Sequence, residues 1–328
     1  MNIAINGFGR IGSHVFKICL DKRVNVVAIN DLCDSKVLAH LVEYDSVYGK
    51  YDKEVSHGDG WIKVGGKKIK VLNEKEPGQL PWKKLKIDVV LECTGKFKDR
   101  KEAMRHLNAG AKKVVISAPG KNLDKTVVYG VNDQDLKKKD RVISVASCTT
   151  NALTPVVKVL NDKFGIEKGF ITTVHAYTSS QYLIDGPNKK IRRGRAAAVN
   201  IVPTTTGATK AVVEVIPELR NKLNGIALRV PVSCGSIVDF VCVLNKNVDV
   251  KVLNEVLKKS SEKEMKGVLE YSEDELVSSD IVGNSHSGVI SSVDTQVLKN
   301  NMVKVLIWYD NEYGYSNRMV DVVKRLKF

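Results

Sequence analysis

No stretch of this 328-residue sequence approaches the roughly 20 consecutive apolar residues that a membrane helix needs. Its start, Met1-Asn2-Ile3-Ala4-Ile5-Asn6-Gly7, lacks a basic segment leading into an apolar run and a small-residue cleavage site, so no secretory signal is expected. Aromatic residues make up only 6% and do not interleave with the lysines, which removes the stacking platform of a single-strand nucleic-acid binder. The six cysteines (Cys19, Cys33, Cys93, Cys148, Cys234, Cys242) form no CxxC pair. The six histidines show no paired ligand spacing, so no metal is expected. Cysteines in a long chain without an export signal are expected to be reduced, which implies a cytoplasmic location. Most of them sit among apolar neighbours, where a cysteine serves as a small core hydrophobe.

Acidic side chains are also in deficit: 37 against 52 basic ones, a formal net charge of +15. The lysines come in short scattered groups such as Lys67-Lys68, Lys137 to Lys139 and Lys258-Lys259. A dispersed excess of this kind suits small anions, phosphorylated metabolites and dinucleotides included, better than nucleic acid as the primary partner. Hydrophobic residues at 43% and charged ones at 27% give the balance of a globular chain. The length calls for two domains.

The first third alternates short apolar runs with helical stretches: a strand over Asn2 to Asn6, a helix over Arg10 to Asp21, and a strand over Val24 to Asn30. Further β-rich runs follow at Asp88 to Glu92, Lys113 to Ser117 and Arg141 to Val145. Such alternation predicts an α/β domain with a parallel sheet covered by helices. Tyr44 to Asn73 predicts antiparallel hairpins, with Gly65-Gly66 as a turn. From Cys148 the character changes. A helix over Asn151 to Phe164 leads into strands at Gly169 to His175, Ile226 to Pro231, Ile237 to Asn245 and Met302 to Tyr309, a second domain on a mostly antiparallel sheet. Between His175 and Ile201 runs a basic stretch without periodicity, of the length that carries function or an interface. Met319, Val322, Val323 and Leu326 mark a closing amphipathic helix.

Gly7-Phe8-Gly9-Arg10-Ile11-Gly12 is a GxGxxG between the first strand and the first helix. Gly7 permits the tight turn, Gly9 lets backbone N–H groups approach a pyrophosphate, and Gly12 lets the helix lie on the sheet. Asp31 closes the second strand about 20 residues further on, where an acid accepts from the ribose hydroxyls and repels a 2′-phosphate. That combination points to NAD rather than NADP. A glycine turn without ligand, or a flavin on the same fold, remains compatible with the motif.

Ser147-Cys148-Thr149-Thr150-Asn151 stands between a strand and a helix, with Pro155 expected in the first turns of that helix. A cysteine at a helix N-terminus meets unpaired N–H groups and the positive end of the dipole, which lower a thiol pKa from about 8.5. The alternative is a capped helix with a buried cysteine. His175 closes the strand Ile171 to His175. A lone histidine there is more often structural than catalytic, and only pairing with Cys148 reverses that.

These residues carry a resemblance. Asn6 to Gly12, Ala146 to Asn151, Thr173 to Thr178, Arg192 to Ala197, Pro203 to Gly207 and Trp308 to Glu312 resemble the glyceraldehyde-3-phosphate dehydrogenase family, in its order and from end to end. The resemblance implies a doubly wound NAD domain over 1–147, an α+β catalytic domain over 148–311, and a C-terminal helix over 312–328 returning to the first. It implies a thioester-forming oxidation of glyceraldehyde 3-phosphate completed by inorganic phosphate, in a homotetramer whose loop after His175 lies against a neighbour's cofactor. By resemblance Cys148 is the nucleophile and His175 the base. Thr178 and Arg229 hold the substrate phosphate; Ser147, Thr149, Arg193, Thr206 and Gly207 hold the attacking one, with Arg193 taken over the adjacent Arg192. Arg10, Ile11, Asp31, Thr94, Ser117 and Asn311 contact NAD, Asn311 at the nicotinamide carboxamide. The sequence departs from the family at Ser179-Ser180, where Asn-Asp or Gly-Asp is common, at Gly186-Pro187 in place of Leu-Pro, and at Ser233-Cys234 in place of Pro-Thr. The rival enzyme is erythrose-4-phosphate dehydrogenase, which ends by hydrolysis; the Thr205-Thr206-Gly207 motif favours phosphate. The non-enzyme rival is a basic nucleic-acid or surface-binding protein, which the complete set of site residues disfavours.

Overall fold

A computed structural model describes residues 1–328. The chain divides into two units: Met1–Val127 with Asp133–Ala146 and Ser316–Phe328, and Val128–Asn132 with Ser147–Tyr315.

The first unit holds a nine-stranded sheet. Seven parallel strands run in the order Lys125–Thr126, Val142–Ser144, Lys113–Ile116, Val89–Glu92, Asn2–Asn6, Asn25–Asn30 and Lys67–Leu72. Trp61–Val64 and Val55–Gly58 extend it antiparallel. Val89–Glu92 and Lys113–Ile116 are buried at every residue, as parallel strands covered on both faces must be. Gly65 and Gly66 both take positive φ, 54° and 83°, in the two-residue turn between the last two hairpin strands. Strand order reverses at Asn2–Asn6, so the crevice of the sheet opens at Gly7.

That crest is stapled by one buried carboxylate. Glu92 accepts from Asn6 Nδ2 at 2.6 Å, from Thr94 N–H at 2.8 Å, from the Thr94 hydroxyl and from His106 Nε2 at 3.1 Å. Trp82 Nε1 donates to His106 Nδ1 at 3.0 Å, which leaves the imidazole proton on Nε2. His106 is thus a fully satisfied core histidine.

The second unit is built on a seven-stranded sheet in the order Val202–Thr205, Leu223–Val230, Ile166–Ala176, Ser236–Leu244, Met302–Tyr309, Gly288–Leu298 and Leu269–Ser272. Its pairings are antiparallel except Ile166–Ala176 with Leu223–Val230 and Leu269–Ser272 with Gly288–Leu298. Ser236–Leu244 alternates buried and half-buried residues, the signature of a sheet with one face against helices. Chief among these is the helix Cys148–Phe164, which starts earlier than the expected Asn151. Thr149, Thr150 and Asn151 are poor helix formers, but all three are buried and the Ser147 hydroxyl caps Thr150 N–H at 3.2 Å. Packing and capping override propensity. Pro155 consequently lies two turns inside the helix. The chain ends in the helix Tyr313–Arg325, and within the first unit Asp321 pairs with Lys22 at 2.7 Å.

Two glycines of the crevice differ in what they tolerate. A Cβ on Gly12 would lie 2.1 Å from the Gly7 carbonyl oxygen, whereas one on Gly9 meets nothing within 4 Å. Gly12→Ala is expected to cost about 1–3 kcal/mol through backbone displacement, seen as a lowered Tm by circular dichroism. Gly9→Ala should leave the Tm within about 2 °C while weakening NAD in calorimetric titration, because its methyl fills the space before the helix N-terminus. Equal effects of the two on Tm would contradict the packing argument.

Candidate active site

The end of strand Ile166–Ala176 and the start of helix Cys148–Phe164 bring two groups together. Cys148 Sγ lies 3.4 Å from His175 Nε2. The other ring nitrogen, Nδ1–H, donates to the Ala176 carbonyl at 2.7 Å. Nε2 therefore faces the sulfur with its lone pair, within reach of the thiol proton. The edge of the imidazole rests on the Tyr309 ring, 5.9 Å between centroids at 75°. Tyr309 Oη is held between the Thr149 and Thr173 hydroxyls at 2.9 and 2.8 Å.

The expected lowering of the thiol pKa is corrected. Burial pushes the Cys148 thiol up; the Arg229 guanidinium and then the Thr149 N–H and hydroxyl oppose this without overcoming it. Burial, then Arg229, push the His175 imidazolium down to about 3. Either charge alone is disfavoured in this enclosure. Passing the proton from Sγ to Nε2 creates both at once, and opposite charges 3.4 Å apart attract by about 5 kcal/mol at an effective dielectric of about 20. That attraction offsets part of the cost of creating the two charges.

Beside this pair lies a strip of donors. Arg229 Nη1 donates to the Ala176 carbonyl at 3.0 Å and to the Thr178 hydroxyl at 3.2 Å, while its buried Nε has no protein acceptor. Thr178 Oγ1 lies 2.8 Å from Ser180 Oγ, which accepts from Arg193 Nη1 at 3.3 Å. Arg193 also donates to the Thr204 hydroxyl and the Thr205 carbonyl, and Lys190 Nζ to the Thr205 hydroxyl at 2.9 Å. These hydrogen bonds of the three cations go to neutral oxygens, and a buried guanidinium Nε without an acceptor suits an anionic ligand. Of the expected phosphate residues, Ser147 is engaged in capping and Thr149 in holding Tyr309. Thr206 accepts from Ala208 N–H at 3.1 Å, and Gly207 is the N-cap of helix Ala208–Val215. Sequence reading missed Tyr309, Ser180 and Lys190. Tyr309 ends a strand inside the Trp308 to Glu312 motif, the one signal that marked it.

In the first unit the residues suit a dinucleotide. Gly7 turns with φ of 88° against Thr94, where a Cβ would lie 2.6 Å from the Thr94 nitrogen. Asp31 accepts from Phe8 N–H at 2.7 Å and Cys33 N–H at 3.0 Å, fixing the glycine turn while each oxygen keeps a further lone pair. Arg10 gives its guanidinium to Asp45 at 2.6 Å, and Ile11 follows, half-buried, at the helix start. Thr94 is held by Glu92, and Ser117 N–H donates to the Glu92 carbonyl at 3.0 Å. In the second unit Asn311 is buried, with Oδ1 accepting from Ser236 Oγ at 2.8 Å.

Comparison with known proteins agrees with this chemistry. Residues 1–100 match the family model described as glyceraldehyde 3-phosphate dehydrogenase, NAD binding domain, and residues 147–311 the one described as its C-terminal domain. The chain is 53% identical to a glyceraldehyde-3-phosphate dehydrogenase of Borreliella burgdorferi, covering 99% of each. It is 52% identical to glyceraldehyde-3-phosphate dehydrogenase 2 of Bacillus subtilis, over 99% of this chain and 96% of the relative. To that of Geobacillus stearothermophilus it is 52% identical, over 98% and 97%.

If the imidazole takes the thiol proton, His175→Asn leaves burial opposed by Arg229, Thr149 and the backbone N–H of Cys148. The pH midpoint for alkylation of Cys148 by iodoacetamide should then rise by at least about one unit, or about 1.4 kcal/mol. An unchanged midpoint would show that the thiolate forms without His175.

Proposed function

The chain belongs to the glyceraldehyde-3-phosphate dehydrogenase family, and from that premise we propose how its residues work. The protein is an NAD-dependent oxidoreductase that converts glyceraldehyde 3-phosphate and inorganic phosphate to 1,3-bisphosphoglycerate. The observation that carries the assignment of roles is the 3.4 Å approach of Cys148 Sγ to His175 Nε2, beside the unsatisfied Nε of Arg229.

In this reading Cys148 gives its proton to Nε2 and its sulfur adds to the aldehyde carbon as a hemithioacetal. His175, its Nδ1–H anchored on Ala176, is the group that exchanges protons with the substrate oxygen. NAD, when bound, supplies the hydride acceptor that turns the hemithioacetal into a thioester on Cys148. Inorganic phosphate then attacks that thioester, the C–S bond breaks, and the acyl phosphate leaves with Cys148 regenerated as thiolate. The first backbone N–H groups of helix Cys148–Phe164 and the imidazolium stabilise the oxyanion. Arg229 with Thr178 holds the substrate phosphate, and Arg193 with Ser147, Thr149, Thr206 and Gly207 the attacking one. Gly7, Gly9, Arg10, Ile11, Gly12, Asp31, Thr94 and Ser117 hold the dinucleotide, and Asn311 its carboxamide.

We further propose a homotetramer. The stretch 177–201 exposes Leu183, Ile184, Ile191, Val199 and Ile201, each more than two-thirds accessible, and Phe170 stands out from its strand at 71%. Apolar side chains in that number mark a surface that another chain covers. None of the six cysteines is in a disulfide, which supports a cytoplasmic location.

NADH formation from glyceraldehyde 3-phosphate should require inorganic phosphate. Cys148→Ala should remove it by on the order of 10⁴-fold or more, and His175→Asn should slow it by about 10²–10⁴-fold. Turnover independent of phosphate would point to hydrolysis and the erythrose-4-phosphate reading. Light scattering should give the mass of four 36.2 kDa chains; a monomer would remove the tetramer.

A further inference from the structure

The strand Ser236–Leu244 begins where its ladder with Ile166–Ala176 stops. The last backbone pair between them is Val174 with Ile237, so Ala176 N–H has no partner in that ladder. It donates instead to a side chain, Ser236 Oγ, at 3.1 Å. That hydroxyl passes its own proton to Asn311 Oδ1 at 2.8 Å. Ser236 is completely buried. Its backbone is pinned by Gly235, at φ of 87°, where a Cβ would lie 2.1 Å from the Ser278 carbonyl oxygen. The hydroxyl cannot drift away from either partner.

The consequence is directional. Because the Ala176 N–H donates, Ser236 Oγ accepts there and donates onward, and a donor facing an amide selects the amide oxygen. Asn311 is thereby locked with Oδ1 inward and no protein group takes its Nδ2 end. We propose that Ser236 is a positioning residue: it fixes the side-chain amide of Asn311 so that its NH2, and not its oxygen, is offered to the carboxamide of a nicotinamide ring, and it joins that amide to the Ala176 peptide that carries His175 and Arg229. This rests on the reading that Asn311 meets the carboxamide. The same peptide unit then serves at both ends, its carbonyl holding base and guanidinium and its N–H holding the amide through one hydroxyl.

The test is equilibrium binding by calorimetry to the full chain, comparing NAD with ADP-ribose, which lacks the nicotinamide. Ser236→Ala should weaken NAD by about 3- to 10-fold, the worth of one oriented hydrogen bond, and leave ADP-ribose unchanged. Ser236→Thr, which keeps the hydroxyl, should restore NAD. A general loosening of the fold would weaken both ligands equally, and that result overturns the proposal. Asn311→Ala separates the two levels of the argument. If it does not weaken NAD relative to ADP-ribose, the reading of Asn311 has failed; if it does while Ser236→Ala does not, only the role of Ser236 falls. Should Ser236→Ala not fold, the unaltered chain still decides. The 3-acetylpyridine analogue of NAD keeps the ring carbonyl but has no amide N–H, so an NH2-out Asn311 binds it within about threefold of NAD, whereas a loss of about tenfold or more, near 1.4 kcal/mol, means that the oxygen faces the ring.

Discussion

A single peptide carbonyl, that of Ala176, is the point on which the site hangs. It accepts from His175 Nδ1–H and from Arg229 Nη1, so one backbone oxygen fixes the tautomer of the imidazole and the place of the guanidinium. It lies where strand Ile166–Ala176 leaves the ladder with Ser236–Leu244 while still paired, Ala176 opposite Val230, with Leu223–Val230. A carbonyl in a rigid strand is a better anchor than a mobile side chain, because its position was already settled by the sheet. Nε2 of the imidazole is then directed at Cys148.

The electrostatics follow from the same placement. Arg229 opposes the burial that pushes the Cys148 thiol up, and also pushes the His175 imidazolium down. Thiolate and imidazolium are each unfavourable alone, and their attraction lowers the cost of forming both, so they titrate as a pair rather than as two residues. The cations left without carboxylate partners around Thr178, Ser180 and Thr205 fit a reaction whose substrates carry phosphate.

Much of the architecture was legible because it is periodic. Asn2–Asn6, Arg10–Asp21 and Met302–Tyr309 have the bounds that their apolar spacing predicts, and Gly65-Gly66 makes the turn its residue types demand. The start of the nucleophile helix was misplaced by three residues, since Thr-Thr-Asn reads as loop until its burial is known. Helices Ser35–Glu43 and Val250–Glu262 and strand Gly288–Leu298 went unassigned. At the site, Cys148 and His175 were visible as residue types, but their 3.4 Å separation comes from strands and helices that sequence spacing does not relate. The Glu92–His106–Trp82 staple, Tyr309 between two threonines and Ser236 behind Asn311 are long-range contacts, from 14 to 160 residues apart in sequence. The thiol pKa was read with the wrong sign because helix ends are local and desolvation is not.

The most direct measurement is the nitrogen NMR spectrum of the chain labelled with ¹⁵N-histidine at neutral pH, with His175 assigned from the spectrum of a His175→Asn variant. The account predicts a proton on His175 Nδ1, hydrogen-bonded to a carbonyl, with Nε2 either bare or sharing the proton of Cys148. A bare Nδ1 with the proton resident on Nε2 and indifferent to Cys148→Ser would contradict it, since the imidazole would then have no lone pair turned toward the sulfur.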